Sequence, residues 1–330
     1  MKAAYILQPG PPASIVYGDL PTPKPGRTQC LVRVGAVSLN PVDTYIRGGA
    51  VQMPLPSPFI IGCDLAGTIV EVGEDVTDFQ PGDRVWGTNQ GLLGRQGTFA
   101  EYAAVDEWWL YPTPADVSDE QAAALALVAI TAHLGLVRDA QLCSGETLFV
   151  NGGSGGVGSA VVQIAKILGA RVITSAGSDK KAEVCQKLGA DHVILYKSTG
   201  VAGPLKKLAP TGVHVWWETL REPDFDLAIG ALAARGRMVV MAGRDARPPF
   251  PVGSFYVKGC SLHGFVMFLA TPDEQQACAE DINQWAGEGR LKGNIDRVLP
   301  LSAAAEAHEL QEQSTVRQTG ALHGKIVLKP

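Results

Sequence analysis

Five glycines lie within residues 152–158 and could form a loop that binds phosphate groups. Gly153, Gly155 and Gly158 have the spacing G-x-G-x-x-G, and Gly152, Gly155 and Gly158 have the spacing G-x-x-G-x-x-G. Glycine lets such a loop turn tightly, approach an anion with its backbone, and pack the next helix against the preceding strand. The free N–H groups at that helix start face the anion. The spacing therefore predicts a loop for a dinucleotide pyrophosphate.

The neighbouring sequence supports this interpretation, because a glycine motif alone is weak evidence. Residues 147–150 are apolar and predict a strand, and residues 156–168 have the period of a helix. The alternative is a glycine-rich connection that binds no ligand. A strand before the loop and a helix after it favour the dinucleotide site.

The choice of dinucleotide is predicted from the end of the next strand, at residues 170–175. An acid there would bind the ribose 2′-hydroxyl and favour NAD. Residues 174–178 read Thr-Ser-Ala-Gly-Ser and hold no carboxylate. Ser175, Gly177 and Ser178 would leave room and polar contacts for a 2′-phosphate, so NADPH is the predicted cofactor.

Lys181 is expected to supply positive charge to that phosphate, one helical turn beyond Ser178. The alternative for Lys181 is a solvated helix lysine. Asp179 is an acid, but it lies a few residues after the position from which an acid would bind the ribose 2′-hydroxyl. An aspartate installed at Ser175 is expected to shift the preference toward NADH.

The surrounding elements predict an α/β chain of two domains, as its 330 residues also suggest. After residue 145, strands and helices alternate, which indicates a doubly wound parallel sheet. The first 110 residues have short β-like runs separated by turns, and the tail, a helix over 272–285 and a strand over 324–329, is expected to pack back on them. The expected domains are 1–124 with 265–330, mostly β and discontinuous, and 125–264. The alternation consists of strands 170–175, 192–195, 213–218 and 237–241, and helices 180–188 and 225–233.

Composition excludes several partners. A net charge of −5 gives no basic surface for nucleic acid as the main partner or for an anionic membrane. The longest apolar run, residues 122–130, is too short to span a bilayer, and the N-terminus has no signal-peptide pattern. The six cysteines are scattered, which is typical of reduced thiols. We therefore expect a cytoplasmic protein.

The most specific run outside the glycine loop is residues 38–49, SLNPVDTYIRGG. Further distinctive runs are residues 62–67, 81–85, 97–102 and 324–328. Together with the glycine loop, these runs resemble the zinc-free quinone oxidoreductase (ζ-crystallin-like) branch of the medium-chain dehydrogenase/reductase superfamily. The resemblance implies a Rossmann-type domain, a GroES-like catalytic domain and NADPH-dependent reduction of quinones.

The resemblance also allows a test for zinc. Zinc-dependent relatives use a cysteine and a Gly-His-Glu motif at the metal, and carry a lobe of four cysteines. Here Asn40 stands about where the cysteine would be, and Gly62-Cys63-Asp64 replaces the motif. No cysteine lies between Cys63 and Cys143, and the six histidines show no ligand spacing. We expect no metal; the alternative is that Cys63 is a remnant ligand.

By resemblance, Asn40 lies beside the nicotinamide and the substrate, and Tyr45 is the candidate donor to the substrate carbonyl. The alternative for Tyr45 is a packed domain tyrosine. The run Trp216-Trp217-Glu218 is unusual, but a buried strand explains it. The resemblance and the motif together give these further cofactor residues: Thr131, Ser154, Gly155, Gly156, Val157, Gly177, Ser178, Lys181, Tyr196, Ala242, Gly243, Phe265 and Val266.

Three functions remain open at this stage. The first is NADPH-dependent quinone reduction, and the second is reduction of an activated C=C bond in an enone or enal. The third is a dinucleotide-binding protein with a structural or RNA-binding role. The resemblance also implies a homodimer, in which an apolar edge strand over residues 261–268 pairs with its copy.

Overall fold

The computed structural model describes residues 1–317 and 319–330. The strands are β1 (Lys2–Ile6), β2 (Val16–Asp19), β3 (Gln29–Leu39), β4 (Phe59–Ile60), β5 (Asp64–Val72), β6 (Arg84–Gly87), β7 (Tyr102–Asp106), β8 (Leu110–Pro112), β9 (Thr147–Asn151), β10 (Arg171–Ala176), β11 (His192–Leu195), β12 (Val213–Glu218), β13 (Leu232–Val240), β14 (Ser261–Gly264), β15 (Ile295–Pro300) and β16 (Lys325–Lys329). The helices are α1 (Pro41–Arg47), α2 (Asp119–His133), α3 (Gly156–Ile167), α4 (Asp179–Lys187), α5 (Tyr196–Thr199), α6 (Ala202–Leu208), α7 (Phe225–Ala231), α8 (Val252–Val257), α9 (Pro272–Gly287) and α10 (Ala304–Thr315).

The chain divides into two compact units. Unit 1 comprises Met1–Leu127 and Thr271–Pro330, and unit 2 comprises Val128–Ala270. The predicted domain boundaries lie after residues 124 and 264 instead. The observed divisions fall within α2 and just before α9.

Unit 2, all of whose residues are described, is built on a six-stranded parallel sheet in the order β11-β10-β9-β12-β13-β14. From β9 the chain adds β10 and β11 on one side, and then crosses to add β12, β13 and β14 on the other. The predicted doubly wound sheet is confirmed. Ligands of such sheets bind at the carboxyl ends of the strands, where the strand order reverses. Here that place is between β9 and β12.

The central strands of unit 2 are apolar on both faces, as parallel strands between helices must be. All five residues of β9 are buried. The ring of Phe149 lies 4.4 Å from that of Trp216 on the neighbouring strand β12, and Leu205, Ala228 and Met238 join the same core cluster. This packing fixes the ends of β9 and β12 relative to each other.

Unit 1 contains a seven-stranded sheet, with β15-β16-β3-β5-β6-β8 in order and β7 also paired with β3, and a three-stranded sheet β2-β1-β4. Strand β16, near the end of the chain, pairs antiparallel with β3, with Ile326 opposite Leu39. The tail therefore packs on the N-terminal part of the chain, as the sequence predicts.

The element predictions were uneven. Strands 192–195 and 213–218 match β11 and β12, and most others shift by one or two residues at an end. The sequence did not predict α1, α5, α6, α8 or α10. The edge strand expected over 261–268 was wrong in length: β14 ends at Gly264, and Met267–Leu269 forms a 3₁₀ turn.

Among the residues that the structure describes, one helical stretch, Asp119–Asp139, is long and apolar enough to cross a membrane by length and composition. It consists of α2 and a π-helical continuation, Leu134–Asp139, and so exceeds the run of 122–130 seen in the sequence. Within its most apolar window, 83% of the residues are buried. Burial of this kind is typical of a core helix. The cytoplasmic location stays a prediction.

Candidate dinucleotide site and catalytic residues

Most predicted cofactor residues of unit 2 follow the carboxyl ends of its parallel strands. Because these strands run in one direction, the residues that follow them emerge at one edge of the sheet. Thr131 is the exception, since it lies in α2 and is buried. The residues at the edge are Ser154, Gly155, Gly156 and Val157 after β9, Gly177, Ser178 and Lys181 after β10, Tyr196 after β11, Ala242 and Gly243 after β13, and Phe265 and Val266 after β14.

The glycine loop leaves no room for side chains at Gly152, Gly153 and Gly158 and has room at Gly155. A Cβ at Gly153 would lie 2.3 Å from Thr174 Oγ1, and one at Gly158 would lie 2.2 Å from the Gly152 carbonyl oxygen. Gly155 is exposed, and a Cβ there would meet nothing closer than that same carbonyl at 3.7 Å. The space beside Gly155, at the N-cap of α3, is therefore open to a ligand.

Side chains from β10 hold the first glycines of the loop. Gly152 donates its N–H to Ser175 Oγ at 3.0 Å, and Gly153 donates to Thr174 Oγ1 at 3.0 Å. The Ser175 hydroxyl in turn donates to Asn151 Oδ1 at 2.7 Å. These bonds satisfy backbone donors that would otherwise be buried without partners, and they fix the shape of the turn.

Beneath this layer lies Glu218, the last residue of β12, which is fully buried. Its carboxylate accepts hydrogen bonds from Asn151 Nδ2 at 3.1 and 3.2 Å, Trp216 Nε1 at 3.1 Å and Leu220 N at 2.8 Å. Burial raises the pKa of Glu218, and these donors oppose that rise. Glu218 therefore supports the glycine loop through Asn151.

The effect of an aspartate at Ser175 on cofactor preference stays a prediction, but the structure gives the Ser175 side chain a supporting role inside the fold. The Ser175 side chain points inward and is 1% exposed, and its hydroxyl is hydrogen-bonded to Gly152 and Asn151. A carboxylate at this position would face the network of Glu218 instead of a ribose. The side chain at position 175 therefore supports the glycine loop.

The sequence analysis assigns Gly177, Ser178 and Lys181, which follow β10, to a 2′-phosphate, and the structure shows their surroundings. Ser178 is exposed and is the N-cap of α4, where its Oγ accepts the N–H of Lys181 at 3.4 Å. Its hydroxyl hydrogen can still be donated. A Cβ at Gly177 would lie 2.9 Å from Tyr196 Oη, so the structure brings Gly177 and Tyr196 together.

The far side of the sheet edge is formed around Phe265. Its ring packs edge-on against Trp217 at 6.5 Å, and the Arg138 guanidinium lies 5.5 Å from its centroid. A Cβ at Gly135, in the π-helical segment, would lie 2.3 Å from the Trp217 ring. Gly243 has a φ of +88°, which favours glycine. These contacts position the backbone predicted to meet the nicotinamide.

Asn40 and Tyr45 lie in unit 1, at the start and in the middle of α1. Asn40 is fully buried, whereas Tyr45 is partly exposed. Asn40 Nδ2 donates to Asp64 Oδ2 at 2.7 Å, and Asn40 Oδ1 accepts from the Lys325 ammonium. The structure thus gives the Asn40 amide two charged protein partners.

The charged groups around Asn40 are strongly perturbed. Burial raises the pKa of Asp64, which Lys325 and the hydrogen bond from Asn40 oppose. Burial also raises the pKa of Asp43 to about 7, and it lowers the pKa of Lys325 against the attraction of Asp64. Cys63 is buried nearby, but among the described residues no three His, Cys, Asp or Glu side chains are grouped so that they could hold a metal ion.

Comparison with known proteins agrees with this architecture. Residues 26–115 match the alcohol dehydrogenase GroES-like domain, and residues 156–283 match a family described as zinc-binding dehydrogenase. The quinone oxidoreductase of Sus scrofa is 32% identical over 320 residues, which cover 97% of this chain and 94% of that protein. This chain belongs to the quinone oxidoreductase family. The predicted superfamily, the Rossmann-like fold and the GroES-like domain are thereby confirmed.

Other members of the wider superfamily differ in what they are named for. A 2-methylene-furan-3-one reductase of Solanum lycopersicum is 31% identical over 92% of this chain and 72% of its own length. A solved NAD-dependent alcohol dehydrogenase has a TM-score of 0.90 at 31% identity, and Escherichia coli quinone oxidoreductase complexed with NADPH has 0.86 at 26%; each covers both chains fully. This quinone oxidoreductase family member is therefore an NAD(P)H-dependent oxidoreductase.

Sequence reasoning missed the polar support of both sites. The run that ends in Glu218 is unusual in the sequence, but nothing in the sequence pairs Glu218 with Asn151, which directly precedes the glycine loop. Lys325 was visible only as part of a family run. Side chains that meet across a sheet leave no local pattern in the chain.

Two glycines of the loop give a matched test. We expect Gly158→Ala to destabilise the fold by about 1–3 kcal/mol, because its Cβ would meet the backbone at 2.2 Å. Gly155→Ala should change the free energy of unfolding by less than about 1 kcal/mol, yet weaken dinucleotide binding about tenfold or more. Urea unfolding and a fluorescence titration of the dinucleotide measure the two effects. Equal binding by wild type and Gly155→Ala would contradict a pyrophosphate site beside Gly155.

Proposed function

We propose that the protein is an NADPH-dependent quinone reductase that works without a metal ion. The cofactor choice is supported by the residues between β10 and α4. Strand β10 ends without a carboxylate, and Ser178 and Lys181 lie at the start of α4. The quinone substrate is proposed from the nearly full-length likeness to quinone oxidoreductases. The likeness to an NAD-dependent dehydrogenase makes the cofactor choice a matter for direct measurement.

The dinucleotide would be held along the carboxyl edge of the sheet in unit 2. Backbone N–H groups from Ser154 to Val157, at the start of α3, would bind the pyrophosphate. Ser178 and Lys181 would bind the 2′-phosphate, with Gly177 and Tyr196 beside the adenosine. Around the nicotinamide we propose Thr131, Ala242, Gly243, Phe265 and Val266. When bound, the nicotinamide supplies a hydride or electrons to the substrate.

Tyr45 is proposed as the group of this chain that acts on the substrate. Its phenol would donate a hydrogen bond to the quinone carbonyl oxygen and stabilise negative charge as it develops there. The described hydrogen bonds of the Asn40 amide all go to other groups of the protein, so we propose that Asn40 orients α1. A direct contact from Asn40 to the nicotinamide stays a prediction.

A second candidate is reduction of an activated C=C bond in an enone. It needs the same donor for the carbonyl oxygen and the same cofactor, and the tomato relative is named for such a reduction. A dinucleotide-binding protein with no turnover is the candidate of another class.

One panel separates the three functions. We expect the rate of NADPH oxidation with 1,2-naphthoquinone to exceed the rate with a linear enone by about tenfold or more, a barrier difference of about 1.4 kcal/mol. A chelator is included and should leave the rate unchanged. Faster turnover of the enone would favour the second function, and no turnover of either would favour the binding protein. A chelator-sensitive rate would overturn the metal-free proposal.

Lys181 tests the cofactor choice. We expect Lys181→Ala to raise KM for NADPH about ten- to a hundredfold, equivalent to about 1.5–3 kcal/mol if the phosphate contact is partly desolvated. KM for NADH should hardly change, because NADH lacks the phosphate. Lys180→Ala, an exposed neighbour, is the control. Equal loss for both dinucleotides would show that Lys181 does not bind the 2′-phosphate, and Asp179 would be reconsidered.

We also propose a homodimer through β14, the edge strand of the sheet in unit 2. Leu262 on this strand is 41% exposed, and Tyr256 and Val257 beside it in sequence are 70% and 74% exposed. An uncovered apolar edge favours pairing. Light scattering should give a dimer mass for wild type and a monomer mass for Leu262→Lys, because a charged side chain disfavours an apolar pairing edge. A monomeric wild type at micromolar concentration would exclude this interface.

A further inference from the structure

Lys325 is a lysine in an unusual place. It is the first residue of β16 and is 4% exposed. Its ammonium donates to the Leu39 carbonyl oxygen at 2.7 Å and to Asn40 Oδ1, and it lies 3.9 Å from Asp64 Oδ2. Burial of a lysine is costly unless its charge and its donors are matched. Here the described partners are the last residue of β3, the N-cap residue of α1 and the first residue of β5.

The partners of Lys325 hold the Asn40 amide in one orientation. An ammonium only donates and a carboxylate only accepts, so the amide oxygen must face Lys325 and the amide nitrogen must face Asp64. The other carboxylate oxygen of Asp64 accepts from Thr88 Oγ1 at 2.7 Å. The Asn40 side chain is therefore fixed at both ends by groups that are fixed themselves.

Asn40 is also the N-cap residue of α1, directly before its first residue, Pro41. Its N–H donates to Asp43 Oδ2 at 2.8 Å, and its carbonyl oxygen accepts the N–H of Asp43 at 3.1 Å. Tyr45 lies five residues further along this seven-residue helix, and its carbonyl oxygen accepts the N–H of Ala50. A shift of Asn40 would move the first turn of α1 and, with it, Tyr45.

We propose that Lys325 is a positioning residue, whose buried ammonium holds the Asn40 amide and thereby sets the place of Tyr45. The contact joins residues 285 apart in the chain. It depends on the pairing of β16 with β3, which puts Ile326 opposite Leu39. This inference rests on the proposed function, because it gives Lys325 an effect on turnover only if Tyr45 acts on the substrate.

The test uses the double variant Asp64→Asn/Lys325→Met, since Lys325→Met alone leaves a buried carboxylate without its counter-charge and can fail to fold. In the double variant no buried charge of this pair remains, and an amide at 64 can still accept from Asn40. We expect folding to be kept and kcat for the quinone to fall about tenfold, with KM for NADPH unchanged. In a Tyr45→Phe background the same double change should lower kcat by less than about twofold, because the group being positioned is gone.

A second measurement needs no turnover. Amide hydrogen exchange of the full chain should rise in peptides covering residues 41–51 of the double variant and stay unchanged in β9 and α3. Lys329→Met, on the same strand but in an exposed pair with Glu120, is the control and should alter neither readout.

The outcomes separate the two proposals. Unchanged exchange over residues 41–51, or an equal fall in kcat with and without the Tyr45 phenol, overturns the role of Lys325. A Tyr45→Phe variant with full activity overturns the proposed role of Tyr45 instead, and the exchange result then decides alone whether Lys325 holds α1.

Discussion

The common direction of the six strands in unit 2 is the constraint on which its candidate site depends. Because the strands are parallel, their carboxyl ends lie at one edge of the sheet. The predicted cofactor residues in the segments after β9, β10, β11, β13 and β14 therefore lie along this edge. The reversal of strand order after β9 opens that edge beside the glycine loop. If one strand ran the other way, its connection would lie on the opposite edge of the sheet, and its contribution to the dinucleotide would be lost.

Each functional region is supported by an asparagine between charged or polar partners. In unit 2, Asn151 joins the Glu218 carboxylate to the Ser175 hydroxyl below the loop. In unit 1, Asn40 joins the Lys325 ammonium to the Asp64 carboxylate. An amide is suited to this place because it donates at one end and accepts at the other, so a single orientation satisfies both neighbours. Buried networks of this kind add rigidity where a ligand must meet fixed groups.

The sequence predicts the parts of this structure that are set by neighbours in the chain. The glycine spacing follows from the approach of Gly158 to the Gly152 carbonyl, six residues away, and β12 follows from its mostly apolar sequence, VHVWWE. The direction of the Ser175 side chain does not follow, because it is decided by Gly152 and Asn151 on another strand. Strand β14 is shorter than its apolar run because a 3₁₀ turn takes over at Met267. Apolar composition alone does not separate these two conformations.

The insertion of β16 between β15 and β3 has a consequence for biosynthesis. A strand made after the whole of unit 2 occupies an interior place in the sheet of unit 1 and carries the ammonium that faces Asn40. On the ribosome, residues 128–270 can therefore complete their sheet while the Val37–Leu39 end of β3 still lacks the strand that pairs with it. Nascent chains are then exposed to mispairing at this end of β3 until β16 emerges, and a premature stop before residue 325 would release a chain with this end still unpaired.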